Sequence, residues 1–237
     1  MVLPAEITLE TLTPEIVAQT IDHALLKPEM TPDEVIAGCN LCAKYQTASV
    51  CVKPCDVKLA AQTLQNSPVA VGTVIGFPHG NTPTQVKVFE ALTAIDDGAV
   101  ELDMVLNIGL LKSGQLAKVQ EEISAVTAAA KTKLPSCCVK VIFECSLLTD
   151  EEKIAACQAS EQAGADYVKT STGFSSGGAT LDDIRLMRAH TSDSMHVKAS
   201  GGIRTLDYLI ECLQAGADRI GASATAAIVD EMRARKS

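Results

Sequence analysis

A closed barrel of eight parallel strands alternating with helices, preceded by a short amino-terminal helix, is the fold this sequence predicts, and three observations predict it. Strand-like and helix-like stretches alternate along the chain, the pattern of a parallel α/β architecture. A Gly-Ala phrase recurs before three of the strands, at Gly98-Ala99, Gly164-Ala165 and Gly216-Ala217, as repeated β/α units would leave it. The length, 237 residues, is close to the roughly 250 typical of one (β/α)8 TIM barrel. No linker, charge block or low-complexity run marks a boundary, so residues 1–237 read as a single (β/α)8-barrel domain.

Taken in order, Thr13-Pro14-Glu15 is a helix start with proline at the first helical position. The first strand falls on Thr20 to Leu26. Thr31-Pro32-Asp33-Glu34 combines a capping box with a first-turn proline and opens a helix to about Lys44. Ala48 to Val52 is the second strand, a helix covers about Asp56 to Leu64, and Val69 to Ile75 is the third strand. Gly76-Phe77-Pro78-His79-Gly80 reads as a loop, and Thr82-Pro83-Thr84-Gln85 as the cap of the next helix. The fourth strand carries Glu101 and Asp103, and a helix over about Gln115 to Lys131 leads to the fifth, Cys138 to Phe143. Thr149-Asp150-Glu151-Glu152 is a second capping box, before the sixth strand around Lys169. Thr180 opens a helix, Met195 to Ala199 is the seventh strand, and Arg204 to Gln214 is helical. Arg219 to Ala222 is the eighth strand, and the last helix spans Ser223 to Arg235.

Composition narrows the function classes. Hydrophobic residues make up 47% of the chain against 21% charged, enough for a large core. A formal charge of −9 argues against a nucleic-acid surface, which needs a basic face. No uncharged apolar run is long enough to span a membrane. Met1 to Glu10 has neither a basic region nor an apolar run, so no signal peptide is expected. The nine cysteines fit reduced thiols of a cytoplasmic protein. Cys39 and Cys42 make a C-x-x-C, but they sit in a helical pattern while Cys51 sits in a strand, which is poor spacing for zinc, and no metal site is expected.

The strands hold charges that a parallel core would not choose: Glu101, Asp103, Lys140, Lys169 and Lys198. Glu101 and Lys140, on neighbouring strands, are expected to form a buried ion pair. Lys169 and Lys198 cannot be explained so, because they are like-charged on adjacent strands about 4.8 Å apart. Two ammonium groups so placed repel, which lowers the pKa of one and leaves it neutral and nucleophilic. A neutral amine in a water-poor pocket adds to an aldehyde, and the resulting iminium is an electron sink for breaking or making an adjacent carbon–carbon bond. The fifth residue after each repeated glycine is Asp103, Lys169 or Gly221, so one rim position offers a carboxylate, an amine and bare backbone. Asp103 is placed to move the protons. Ala199-Ser200-Gly201-Gly202-Ile203-Arg204 and Gly221-Ala222-Ser223 follow the last two strands, where such barrels often bind phosphate through glycine-exposed N–H groups and helix amino termini.

These same residues carry a resemblance. Asp22-His23-Ala24-Leu25-Leu26-Lys27-Pro28, Ser49-Val50-Cys51-Val52, Gly76-Phe77-Pro78-His79-Gly80, Glu101-Leu102-Asp103-Met104-Val105, Val168-Lys169-Thr170-Ser171-Thr172-Gly173-Phe174 and Val197-Lys198-Ala199-Ser200-Gly201-Gly202-Ile203-Arg204 together resemble the deoxyribose-phosphate aldolase family over about Ile21 to Ser223. The resemblance implies a class I aldolase needing no metal or cofactor. Its reversible reaction cleaves 2-deoxy-D-ribose 5-phosphate to D-glyceraldehyde 3-phosphate and acetaldehyde. It implies Lys169 as the Schiff-base lysine, Lys198 as the neighbour tuning it, and Asp103 as the proton shuttle. Asp22 joins the polar network and Thr170 lies beside the substrate, while Gly173, Gly201, Gly202, Gly221 and Ser223 hold the phosphate. A homodimer or higher homo-oligomer is compatible with this reading, its order not being set by the sequence. The chain departs from the family's pattern at Ala24, Lys53, Phe174 and Ala224, positions that bear on substrate hydrogen bonding and phosphate affinity.

Two other readings use the same residues. Another barrel aldolase or isomerase for a phosphorylated sugar would keep the phosphate loops, and an isomerase would not need paired strand-end lysines. A non-catalytic phosphometabolite-binding protein predicts loss of Lys169 or Asp103, and both are present.

Overall fold

The computed structural model describes residues 3–236. The signal-peptide and single-domain expectations also cover Met1, Val2 and Ser237, which lie outside the described residues.

Eight parallel strands pair in chain order and close: β1 (Ile21–Leu25), β2 (Ser49–Val52), β3 (Ala70–Ile75), β4 (Glu101–Val105), β5 (Cys138–Ile142), β6 (Tyr167–Lys169), β7 (His196–Ser200) and β8 (Arg219–Ala222), with β8 returning to β1. This is the predicted (β/α)8 barrel. The helices are α1 (Pro14–Thr20), α2 (Pro32–Tyr45), α3 (Val57–Thr63), α4 (Thr84–Asp96), α5 (Ile108–Lys112), α6 (Leu116–Lys133), α7 (Asp150–Gln162), α8 (Leu181–Ala189), α9 (Leu206–Gln214) and α10 (Thr225–Lys236). The short helix α5 and two single turns, Pro54–Asp56 and Cys145–Leu147, carry no strong sequence signal and are additions to the predicted elements. Among the described residues no helix is long and apolar enough to cross a membrane.

The helix starts follow from their caps. Thr31 and Thr149 each form a full capping box, with Glu34 and Glu152, and Thr13, Thr180 and Thr205 accept N–H bonds at their own helices. The expected side-chain cap at Thr82–Gln85 does not form. Helix α4 begins after Pro83, which makes no side-chain cap bond. The Pro83 carbonyl instead accepts from Val86 N (2.9 Å) and Lys87 N (3.2 Å), while the Thr82 hydroxyl is buried elsewhere.

The recurring Gly-Ala phrase is a device for ending helices. Gly98, Gly164 and Gly216 all have positive φ (111°, 77° and 110°). At each, the alanine N–H reaches back five residues to a helix carbonyl: Ala99 to Ala94 (2.9 Å), Ala165 to Ser160 (3.1 Å) and Ala217 to Cys212 (3.1 Å). Glycine is needed there because a Cβ disfavours the left-handed region. The chain thus leaves three helices in the same way, and the fifth residue after each glycine falls inside the following strand, as Asp103, Lys169 and Gly221.

Side chains alternate across each strand. Leu102, Met104, Val139, Val141, Val168, Val197 and Ala199 are completely buried in the layer between strands and helices. Their neighbours Glu101, Asp103, Lys140, Tyr167, Lys169 and Lys198 take the opposite parity and fill the bore. The outer layer supplies the hydrophobic stabilisation, roughly 25 cal/mol per Å² removed from water. The bore is thereby left free to hold charge, at the expense of desolvating it.

Candidate active site

The β6–β7 register sets Lys169 directly against Lys198. Asp103 lies level with Lys140 and Tyr167, so Lys169 is two residues farther toward the carboxyl-terminal mouth. Both amines nevertheless meet one oxygen: Lys169 Nζ and Lys198 Nζ each donate to Asp103 Oδ2 at 2.7 Å. Lys140 Nζ donates to Asp103 Oδ1 at 2.9 Å and to Glu101 Oε2 at 2.6 Å, which is the ion pair expected from the sequence. Asp22 binds Lys198 through Oδ2, and its Oδ1 accepts from Arg219 Nη1 (2.6 Å) and Ser49 Oγ (2.7 Å). Arg219 closes the ring to Glu101 at 3.4 Å.

This network contains three carboxylates (Asp22, Glu101 and Asp103) and four basic groups (Lys140, Lys169, Lys198 and Arg219), so it balances when one base is neutral. Of the four, Lys169 alone has its pKa lowered. Burial, with the residue 3% exposed, pushes its pKa below the ordinary lysine value; Asp103 opposes the shift and Lys198 adds to it. Burial acts the same way on Lys198 and Lys140, but their carboxylate partners outweigh it and hold both above the usual range. Asp103 is drawn up by burial, yet the three lysines around it keep it ionised, well below the usual carboxylate range. Repulsion by Lys198, the cause expected from the sequence for a depressed Lys169, is present. Desolvation is the larger cause, however, and a carboxylate oxygen stands between the two amines.

Above this network opens a cavity of about 820 Å³. Lys169, Lys198, Asp22, Gly173, Gly201, Gly202, Gly221 and Ser223 all line it. Gly173, Gly201 and Gly202 have positive φ (84°, 88° and 80°), and the N–H groups of Gly173 and Gly202 donate to no protein acceptor among the described residues. Gly221 is glycine for a different reason: a Cβ there would come within 2.7 Å of Ser200 Cβ and 3.4 Å of Lys198 Cε. Ser223 is exposed just before α10, where a helix amino terminus favours an anion. Thr170 is placed otherwise. It is fully buried, its hydroxyl donating to Ser200 O (3.2 Å) and accepting from Ser200 N (3.1 Å), so it ties β6 to β7.

Two cations with no role predicted from the sequence, Lys27 and Arg204, are exposed on the cavity wall. Both lie within the quoted motifs, but charge at a loop gives no sign of which way it points. Phe77 and Phe174 meet edge to face at 5.2 Å, joining the β3–α4 and β6–α8 loops. Among the described residues no group of three or more His, Cys, Asp or Glu is set to hold a metal ion. Burial raises the Cys39 and Cys42 thiols to about 11 and about 12, which makes them inert core residues.

A buried amine of lowered basicity suits carbonyl addition, and on this fold it places the protein among the barrel aldolases. The chain belongs to the DeoC/LacD family of aldolases, whose sequence model matches residues 16–229. It is 53% identical to a deoxyribose-phosphate aldolase of Halalkalibacterium halodurans over 222 residues, 93% of this chain and 98% of that protein. It is 54% identical to one from Streptococcus gordonii, across 88% of this chain and 93% of the relative. Among solved structures, the tetrameric deoxyribose phosphate aldolase of Aeropyrum pernix superimposes with a TM-score of 0.89 at 32% identity, covering 96% of this chain and 95% of that one.

Proposed function

We propose that this protein is a class I aldolase that reversibly cleaves 2-deoxy-D-ribose 5-phosphate to D-glyceraldehyde 3-phosphate and acetaldehyde. The observation that carries the reading is a buried amine at the floor of the cavity, Lys169, set in register against Lys198, bonded to Asp103 and held below the ordinary lysine pKa by burial. Lys169 Nζ adds to the substrate aldehyde and loses water to form an iminium. The bond between the second and third sugar carbons then breaks, its electron pair passing into the iminium as the third-carbon hydroxyl gives up its proton. Protonation of the resulting enamine and hydrolysis release acetaldehyde and free the lysine.

Asp103 Oδ2, 2.7 Å from both amines, is placed to pass protons between Lys169 and the protonated Lys198. Asp22 holds Lys198 in place, and Thr170 supports the β6–β7 strand ends rather than the substrate itself. Gly173, Gly201, Gly202, Gly221 and Ser223 form the phosphate cradle, supported by the unbonded N–H groups and the α10 amino terminus. The substrate is a small phosphorylated sugar, and we assign the enzyme to the cytoplasm, in keeping with its nine free cysteines. Assembly into a homo-oligomer, as in the tetrameric Aeropyrum pernix relative, is checked by light scattering.

Incubation with acetaldehyde and borohydride, followed by peptide mass spectrometry, tests the chemistry. A reduced two-carbon adduct on Lys169 is expected, and Lys169→Ala should abolish both adduct and turnover. An adduct only on Lys198, or none, would overturn the assignment.

A further inference from the structure

Six carboxylates are buried among the described residues, and five of them, Asp22, Glu101, Asp103, Glu122 and Asp183, face a lysine or arginine. The sixth, Glu144, is 2% exposed and makes no ion pair among the described residues. A buried carboxylate without a cation is unfavourable unless hydrogen bonds replace the lost water. Its bonds all come from one neighbour: Thr172 donates to the carboxylate through its hydroxyl and through its backbone N (3.4 Å).

The backbone at Glu144 is unusual as well. Only Gln46 and Glu144 among described non-glycine residues have positive φ, 56° and 60°. Gln46 caps the end of α2, where that conformation is ordinary. Glu144 ends no helix. It follows β5 and begins the single turn Cys145–Leu147, in a left-handed conformation that is strained for a non-glycine residue.

We propose that Glu144 is a positioning residue, a latch that fixes the β6–α8 loop so that the Gly173 N–H stays aimed at the substrate phosphate. The connection runs through three consecutive residues. Thr172 is held by Glu144, the Thr172 hydroxyl also accepts from Phe174 N (3.1 Å), and Gly173 lies between them with its own N–H unbonded. Gly173, exposed at φ 84°, has open space where a Cβ would stand, so no neighbour crowds it into place. Phe174 adds a second fixed point through Phe77. The strained backbone and the unpaired carboxylate thus have one common effect, to immobilise the segment between Thr172 and Phe174.

This inference rests on the phosphate role given to Gly173 above. The test compares kcat and KM on 2-deoxyribose 5-phosphate and on unphosphorylated 2-deoxyribose. Wild-type protein must first trap acetaldehyde at Lys169 and prefer the phosphorylated sugar; a wild type without that preference refutes the phosphate reading, and the latch with it. Given that preference, Thr172→Val and Glu144→Ala should each raise KM for the phosphorylated sugar about tenfold, with kcat nearly unchanged, as loss of one charge-assisted bond would. KM for the unphosphorylated sugar should hardly move. Thr172→Ser, which keeps the hydroxyl, should recover most of the loss, and the double variant should be no worse than either single one. Equal losses on both sugars, additive losses in the double variant, or a Thr172→Ser protein as impaired as Thr172→Val would overturn the latch. If Glu144→Ala does not fold, the two Thr172 variants decide by the same criteria.

Discussion

Single side chains in this protein behave according to what surrounds them, and two of them make that measurable. In the proposed chemistry Lys169 reacts only as the free amine, so the rate of acetaldehyde trapping should fall as pH drops through its lowered pKa. Asp103 is the group that most opposes that lowering. Asp103→Asn should therefore move the acid limb of the trapping profile to lower pH, even as turnover collapses for want of proton transfer. A limb that moves upward would mean that another anion governs Lys169. Lys198→Arg keeps a cation but must fit a planar guanidinium where a 1% exposed ammonium touches both Asp22 and Asp103. We expect kcat to fall by roughly ten- to hundredfold, as for a misplaced catalytic group, with trapping at Lys169 retained.

His23 makes the second case. It is 5% exposed, hydrogen-bonded to the Thr225 hydroxyl at 2.9 Å, and burial lowers its pKa to about 4. An unfolded histidine titrates near 6.5, so between the two values the unfolded chain binds the proton and the folded protein does not. Stability must then decrease as pH falls from about 6.5 toward 4, by roughly 3 kcal/mol in all. The upper half of that window precedes most carboxylate titration. Unfolding midpoints measured at pH 7 and pH 5 should differ in the wild type, and His23→Gln should flatten the difference. An unchanged slope in that variant would exclude His23 as its source.

Elements matter here as carriers of loop positions. Strand β8 delivers Gly221 against Ser200 and Lys198, where a side chain would crowd β7, and the connection to α10 sets Ser223 ahead of a helix amino terminus. The absence of a Cβ at Gly221 therefore leaves room for the lysine, while the phosphate contact proposed for this loop falls to Ser223. Ser223→Asp places a negative charge where the phosphate is to bind, so KM for the phosphorylated sugar should rise at least about tenfold, while activity on 2-deoxyribose falls much less. Equal losses would detach the loop from phosphate recognition.

At the scale of the whole barrel, charge balance links the strands into one unit. Glu101 joins β4 to β5 through Lys140 at 2.6 Å and reaches Arg219 on β8 at 3.4 Å. Removing its charge in Glu101→Gln leaves the bore with excess positive charge. Breaking a buried pair in this way should destabilise the fold by roughly 3–5 kcal/mol, read by denaturant unfolding. The added positive potential should also favour the neutral Lys169 amine and move the acid limb of trapping to lower pH. Lost stability with no movement of the limb would mean that the bore does not act as one electrostatic unit.

The order of strands and helices is legible in the chain alone, because alternation, caps and glycine stops are local signals. Thr31 with Glu34 and Thr149 with Glu152 form the boxes that their spacing announces, and the eighth strand falls on Arg219–Ala222 as predicted. Lys169, Lys198 and Asp103 stand out in the same way, since charge at inward parity in an apolar strand needs a reason. How those groups meet is set by the closed barrel. Which carboxylate oxygen lies between two amines depends on register and on lysines bending back across the bore, and neither is written in spacing. Thr170 gives its hydroxyl to a strand–strand bond, and Glu144 emerges as a carboxylate without a cation, for the same reason. Burial and partnership are properties of residues far apart in the chain, and they exist only once the barrel has closed.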